Sequence, residues 1–259
     1  MKTTLLAVTL LIIVISSCRK DPRPQTEPEG SHLLKKYTST RDDGFSSRIN
    51  TFFYDTENRL IKRFGEFDHS YNYTYDVSGN LVNVESLGYG NTARMNFEIK
   101  YVGVKPVSVV RKNFRPDGAH QLDTSYYTVN NLNQVTYIDK GKWHEQKFEY
   151  DPNGNVSHIT YGDEAITLTY EKAKGPLSNA NKIPLIDVID FHSDSSPHIF
   201  FFTNNSLIKY VRTRHNQPFE LFERTYKYNT NNYPVSSVTK FTGSYRNRSY
   251  NSVEEYVYE

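Results

Sequence analysis

A single cysteine, Cys18, in 259 residues rules out a disulfide within one chain. A dominant charge is also missing, since 31 basic residues oppose 29 acidic ones. Nucleic-acid-binding domains usually carry a strongly basic face, so the balance indicates no nucleic-acid partner. No apolar run reaches the ~20 residues of a spanning helix. The run at residues 5–15 falls well short of that length. Gly-x-Ser-x-Gly, phosphate-loop and dinucleotide fingerprints are absent, which removes the sequence signatures of the enzymes built on them. Tryptophan and methionine are scarce, at one and two residues.

Tyrosine and phenylalanine are abundant, at 21 and 15 residues. Both favour strands over helices, and here they cluster around turn signals. In the stretch from Phe148 to Ile159, Asp151-Pro152-Asn153-Gly154 fits a type I turn. Asp151 accepts a local backbone hydrogen bond, Pro152 presets φ, and Gly154 tolerates the left-handed conformation that completes a three-residue hairpin loop. Phe148 and Tyr150 then share one strand face. Copies stand at Tyr54-Asp55 to Asn58, Tyr75-Asp76 to Gly79, and Tyr228-Asn229 to Asn232, with worn versions at 101–107 and 129–135. Asn58 and Asn232 replace glycine with the other residue most at home at positive φ.

After four boxes an apolar pair follows three residues apart: Leu81/Val84, Val107/Val110, Val135/Ile138 and Val156/Ile159. Strict alternation would send such a pair to opposite faces, so a bulge or a two-sided strand is expected. Repetition of this kind predicts one all-β domain over 33–259, a curved antiparallel sheet of successive hairpins. The pattern breaks after Tyr170. Residues 184–192 suit a short helix, with Pro184 acceptable in its first turn, although a buried strand explains the same apolar run.

At the N-terminus, Met1-Lys2, the apolar run and Ile15-Ser16-Ser17-Cys18 resemble the bacterial lipobox. That resemblance implies a signal peptide over 1–17 and a lipid thioether on Cys18, hence a membrane partner. A secretory signal with an incidental cysteine is the competing reading. Residues 18–32 are rich in proline and poor in apolar side chains. They read as an extended tether reaching roughly 40 Å at ~3.1 Å per residue. Boxes and lipobox together resemble a family of YD-repeat-like bacterial lipoproteins of unknown function, similar in pattern to the repeats of Rhs and wall-associated proteins. Rhs-type repeats form curved antiparallel sheets that enclose or present other molecules. This chain is far too short for a toxin-enclosing shell, so the resemblance implies fold and address only. Lys20, two places after the cysteine, implies the outer membrane.

Chemistry is less legible. Asp151 to Asn155 superficially resembles a calcium loop, but the twelfth position, where a bidentate acid belongs, is Gly162. His144 lacks the second histidine of a helical zinc site. Asp187, Asp190, His192, Asp194 and His198 are the densest ligand-like set, and scattered surface polarity explains them as well. No metal and no cofactor are therefore expected. The acid pairs Asp42/Asp43, Asp163/Glu164 and Glu254/Glu255 admit a glycosidase pair in principle, a matter of separation across a cleft rather than of adjacency in sequence. Tyr71, Tyr73 and Tyr75, alternating along one strand, and Trp143, beside a turn, are the candidate ligand contacts. Core packing is the competing role for each of them. The expectation is an envelope-tethered, non-catalytic binding or scaffold module for a glycan or protein. A carboxylate-dependent glycan hydrolase is the alternative.

Overall fold

A computed structural model describes residues 32–44, 47–65, 69–88, 92–115, 117–139, 145–180, 203–243 and 248–259. Cys18, the tether, Trp143, the 184–192 segment and the Asp187–His198 ligand set lie outside the described residues. Every regular element described is a strand. In chain order they are β1 (Leu34–Arg41), β2 (Arg48–Tyr54), β3 (Leu60–Phe64), β4 (Ser70–Tyr75), β5 (Leu81–Leu87), β6 (Ala93–Val102), β7 (Lys105–Phe114) and β8 (His120–Val129). They continue with β9 (Val135–Asp139), β10 (Gln146–Tyr150), β11 (Val156–Tyr161), β12 (Glu164–Lys174), β13 (Asn205–Arg214), β14 (Gln217–Tyr228), β15 (Pro234–Gly243) and β16 (Arg248–Tyr258).

Each strand pairs antiparallel with the next, and β16 returns to pair with β1 from Leu34/Tyr258 to Arg41/Ser252. The curved sheet therefore closes into a 16-stranded up-and-down barrel. Closure is more than hairpin repetition alone specifies, and it removes both sheet edges.

All the boxes lie at one end of the barrel. Five of them share one hydrogen-bond pattern. In the box at Asp151, the Asp151 amide donates to the Asn155 carbonyl (2.8 Å) and the Gly154 amide donates back to the Asp151 carbonyl (3.0 Å). The Asp151 carboxylate accepts from the amides of Asn153 and Asn155, both at 2.9 Å. Asp55, Asp76, Asn130 and Asn229 do the same in their turns. The fourth residue has positive φ each time: Asn58, Gly79, Asn133, Gly154 and Asn232. The segment at 101–107 is different. It is a two-residue turn around Gly103 (φ 61°), and the following inward pair is Pro106 and Val109 rather than Val107 and Val110. The turn is shorter, so the strand that leaves it is offset by one.

A bulge follows each box, one of the two outcomes open from the three-residue apolar spacing seen after four of them. Leu81 opposes Tyr75 while Asn83 opposes Thr74, which places both Leu81 and Val84 inside at 1% exposure. Toward the box end the ladder within an odd–even strand pair stops early. Between β9 and β10 it joins Tyr137–Ile138 to Gln146–Lys147 and goes no further. A tyrosine near the end of the even strand bridges the opening by donating its hydroxyl to a carbonyl beside the bulge of the odd strand. Six such clasps occur among the described residues: Tyr54 to Leu34, Tyr75 to Leu60, Tyr101 to Leu81, Tyr150 to Val135, Tyr170 to Val156 and Tyr226 to Leu207, at 2.8–3.1 Å. The aromatic residue before each acid is thus a staple.

The inner surface of the box half is apolar. Leu34, Phe52, Leu60, Leu81, Ile138, Ile159 and Leu207 are all nearly inaccessible, and Leu177, from the connection after β12, joins the same core. A round 16-stranded barrel is wide enough for a water channel, yet water reaches almost none of these side chains. The outer wall is largely polar, although Ile49, Phe53, Leu122, Val238, Val253 and Val257 are exposed on it as well. Lys36, Glu98, Lys100, Lys147, Glu149, Lys209, Glu223, Lys227, Lys240 and Glu255 point to solvent from strands around the barrel.

Candidate functional site

The inner wall changes character toward the end opposite the boxes. There the inward positions are Arg63 and Tyr71 on β3–β4, and Arg111, Asn113, Gln121 and Asp123 on β7–β8. They continue with Tyr161, Glu164, Arg212, Arg214 and Glu220 on β11–β14, and Phe241, Tyr250 and Arg41 where β15, β16 and β1 meet. Most are half-buried rather than sealed. This face combines arginines with rings. The Arg63 guanidinium lies 4.3 Å from the Tyr71 ring centre and that of Arg41 lies 3.4 Å from Tyr250, which stacks on Phe241 at 4.9 Å. Arg212 and Arg214 both cover Phe219, at 5.1 and 5.0 Å. Such contacts hold planar cations in place against the rings.

Strand register assembles the densest group. Tyr161 opposes Glu164 across the β11–β12 turn, and Glu164 opposes Arg214 on β13. Arg212 Nε donates to Glu164 at 2.7 Å, and its Nη1 reaches Glu220 at 3.4 Å. Tyr161 donates to the Glu164 carboxylate as well, and Arg214 Nε donates to the other carboxylate oxygen at 2.8 Å. Burial opposes ionisation of Glu164, but the hydrogen bonds from Tyr161, Arg214 and Arg212 outweigh it and hold the carboxyl below its ordinary range. Burial and the bond to Glu164 push the Tyr161 hydroxyl up. Glu164 is therefore an ionised, saturated acceptor. A glycosidase acid needs the reverse, a carboxyl kept protonated by a raised pKa.

A second charged group is sealed between β14, β15 and β16. Glu254 is 2% exposed and accepts from Arg224 (3.0 and 3.1 Å), Thr239 (2.9 Å) and Ser252 (3.0 Å), with Ser237 as a further donor. Every lone pair of the carboxylate has a partner, as a buried charge requires. Tyr37, Tyr226 and Tyr256 surround the pair, their hydroxyls pushed up chiefly by burial. The group is structural in geometry, because solvent has no path to it.

The acid pairs separate in the structure. Adjacent strand residues face opposite ways, so Glu254 points in while Glu255 points out, and Asp163 meets His215 in a turn at 3.0 Å while Glu164 faces inward. Among the described residues, no cluster of three or more His, Cys, Asp or Glu is arranged to hold a metal ion. The three candidate tyrosines all face inward. Tyr73 is buried in the core at 4% exposure, Tyr75 is a clasp on Leu60, and Tyr71 lies half-buried under Arg63. The arginine and aromatic residues of the far end escaped sequence reading. Period-2 alternation signals a face without saying which residues of different strands meet on it.

No protein-family model matches the chain, and no curated protein matches it in sequence. Solved structures do match in fold. A porin-like protein from Bacteroides uniformis ATCC 8492 aligns at a TM-score of 0.55 with 12% identity, over 87% of this chain and 98% of that one. A porin-like protein from Bacteroides vulgatus ATCC 8482 aligns at 0.41 with 12% identity, over 88% and 98%. The TcdB2-TccC3-TEV structure aligns at 0.22 with 13% identity, over 79% of this chain and 10% of that one. The first of these supports a shared barrel fold.

Proposed function

We propose that the chain is an envelope lipoprotein, anchored through Cys18 to the outer membrane, whose barrel is a non-catalytic binding or scaffold module for a glycan or protein. The observation that carries this reading is the polarity of the barrel. Membrane-crossing barrels present an apolar band ~25 Å tall to lipid and keep their interior polar. This one has lysines and glutamates around its outer wall and a packed apolar inner half. Its strands suit water on the outside, and among the described residues the inner side chains of the box half are sealed from solvent. The porin-like character of its fold neighbour fits an envelope setting, while the interior argues against transport. A lipid on Cys18 and the proline-rich tether would then supply the membrane attachment that the strands do not.

The far-end arginine and aromatic face supports binding. Rings pack against sugar C–H groups or apolar side chains, and guanidinium N–H groups donate to hydroxyl, carboxylate or phosphate oxygens. A screen of envelope glycans and proteins with the intact chain is expected to find a ligand whose affinity falls in Phe219→Ala or Trp143→Ala. Turnover of a glycan, abolished by Glu164→Gln while binding persists, would replace this reading with that of a hydrolase.

A further inference from the structure

The turns of the box end carry an arc of exposed aliphatic side chains, and we infer that this arc rests on the surface of a lipid bilayer. Val77 is fully exposed at the second position of its box, Leu132 is 77% exposed at the third position of its own, and Val102 and Val104 flank Gly103 at 70% and 63%. The three connections, between β4 and β5, β6 and β7, and β8 and β9, are consecutive around the rim. Turn tips ordinarily hold Gly, Pro, Asn, Asp or Ser because those residues serve the backbone there. The boxes at Asp55, Asp151 and Asn229 follow that habit with Thr56-Glu57, Pro152-Asn153 and Thr230-Asn231. The far-end turns, among the described residues, carry Asp42-Asp43, Asp117, Gly162-Asp163 and His215-Asn216 and no exposed large apolar side chain.

Two further observations select lipid as the occupant. The chain enters the barrel at this same end. His32 lies against the box at Asn229, 3.0 Å from the Asn231 side chain, with its ring 5.1 Å from that of Tyr233. A tether over 18–32 reaches roughly 40 Å, ample for the box end to lie on a bilayer to which Cys18 is fixed. Contact at the far end would use most of that reach, because it stands up to one strand length further away, ~33 Å for ten residues. Charge agrees as well. Lys105, exposed beside Val104, is the cation of the arc, whereas the Asp76 carboxylate is committed to Ser78 and Asn80 at 2.8–3.0 Å. Aliphatic tips with a neighbouring lysine suit the headgroup boundary, where methyl groups enter and the ammonium stays among phosphates. The arc would hold the far-end face pointing away from the membrane, toward its ligand.

This inference rests on the lipid anchor of the proposed function, and the test separates the two. Leu132→Cys and, at the far end, His120→Cys are labelled with an environment-sensitive dye; Cys18 does not compete once it carries lipid. The full-length lipidated chain is placed in phosphatidylcholine vesicles containing a lipid-borne quencher. A second arm holds the Cys18→Ala chain on nickel-chelating vesicles through an N-terminal hexahistidine tag. The expected result, in both arms, is a blue-shifted emission with several-fold more quenching at 132 than at 120. The shift should be lost in Val77→Asp/Val104→Asp/Leu132→Cys, a variant altered at exposed tips that leave the barrel intact. Equal and weak quenching at both sites in vesicle-bound protein would overturn the bilayer contact, including the case in which the arc binds a protein. A chain that fails to float with vesicles in the first arm, yet quenches selectively in the second, would sink the anchor and keep the contact.

Discussion

Tyr150 donates its hydroxyl to the Val135 carbonyl at 2.8 Å, across an opening that the β9–β10 ladder leaves unpaired. The ring packs against the core, and the hydroxyl serves a carbonyl beside a bulge. A hydrogen bond of this kind contributes ~0.5–1.5 kcal/mol net. Tyr150→Phe is expected to lower stability by about that amount in urea melts, whereas Tyr126→Phe, at a side chain 62% exposed on the outer wall, should be neutral. Equal effects of the two changes would show that the clasp contributes no stability.

Gly154 sits at φ 82°, where a β-branched side chain is strained. Gly154→Val should cost on the order of 1–3 kcal/mol. Gly154→Asn should cost less, because Asn58, Asn133 and Asn232 already occupy the equivalent position. An unshifted melting temperature in the valine variant would show that the turn does not constrain the fold.

Arg224 and Glu254 form an ion pair buried on all sides. Removing one partner leaves an uncompensated buried charge, so Glu254→Ala is expected to destabilise by ~3–5 kcal/mol. Replacing both with apolar residues of similar volume, as in Arg224→Met/Glu254→Leu, should recover most of that loss. A double variant no more stable than Glu254→Ala would mean that the surrounding serine, threonine and tyrosine hydroxyls depend on the charges.

Glu164 is held below its ordinary value of 4.5 by Tyr161, Arg214 and Arg212 against the opposing effect of burial. A carboxyl depressed in the folded state contributes stability that is complete above its unfolded pKa and lost as pH falls through the folded one. Melting temperature should therefore decline on acidification below about pH 4, and Glu164→Gln should flatten that decline while lowering stability at neutral pH. An acid limb unchanged by the substitution would locate the lost protons elsewhere.

The turns were legible in the sequence because their causes are local. Asp151, Pro152 and Gly154 each satisfy one position of a single loop, and the Leu81/Val84 spacing betrays a bulge without reference to any other strand. Closure was not legible, since it depends on β1 meeting β16 from the opposite end of the chain. In β16 the valines 253 and 257 suggest the buried face, yet both are more than half exposed, and Ser252, Glu254 and Tyr256 point inward. Tyr256 and Tyr258 share their parity and pack within the barrel beside Tyr37 and Tyr233. The aromatic residues thus set the register and carry Glu254 into the core to meet Arg224. The far-end face was hidden for the same reason, because Glu164, Arg212 and Phe219 converge only once three strand registers are known.

On the proposed reading, the barrel is a water-exposed body held at the membrane by lipid, with strands that do not cross the bilayer. Fractionation of cells producing Cys18→Ala, followed by carbonate extraction and circular dichroism of the recovered protein, tests it most directly. The variant is expected to leave the membrane fraction and to keep the β-rich spectrum of the parent. A Cys18→Ala chain that stays in carbonate-washed outer membranes, folded and heat-modifiable like an integral barrel, would contradict it.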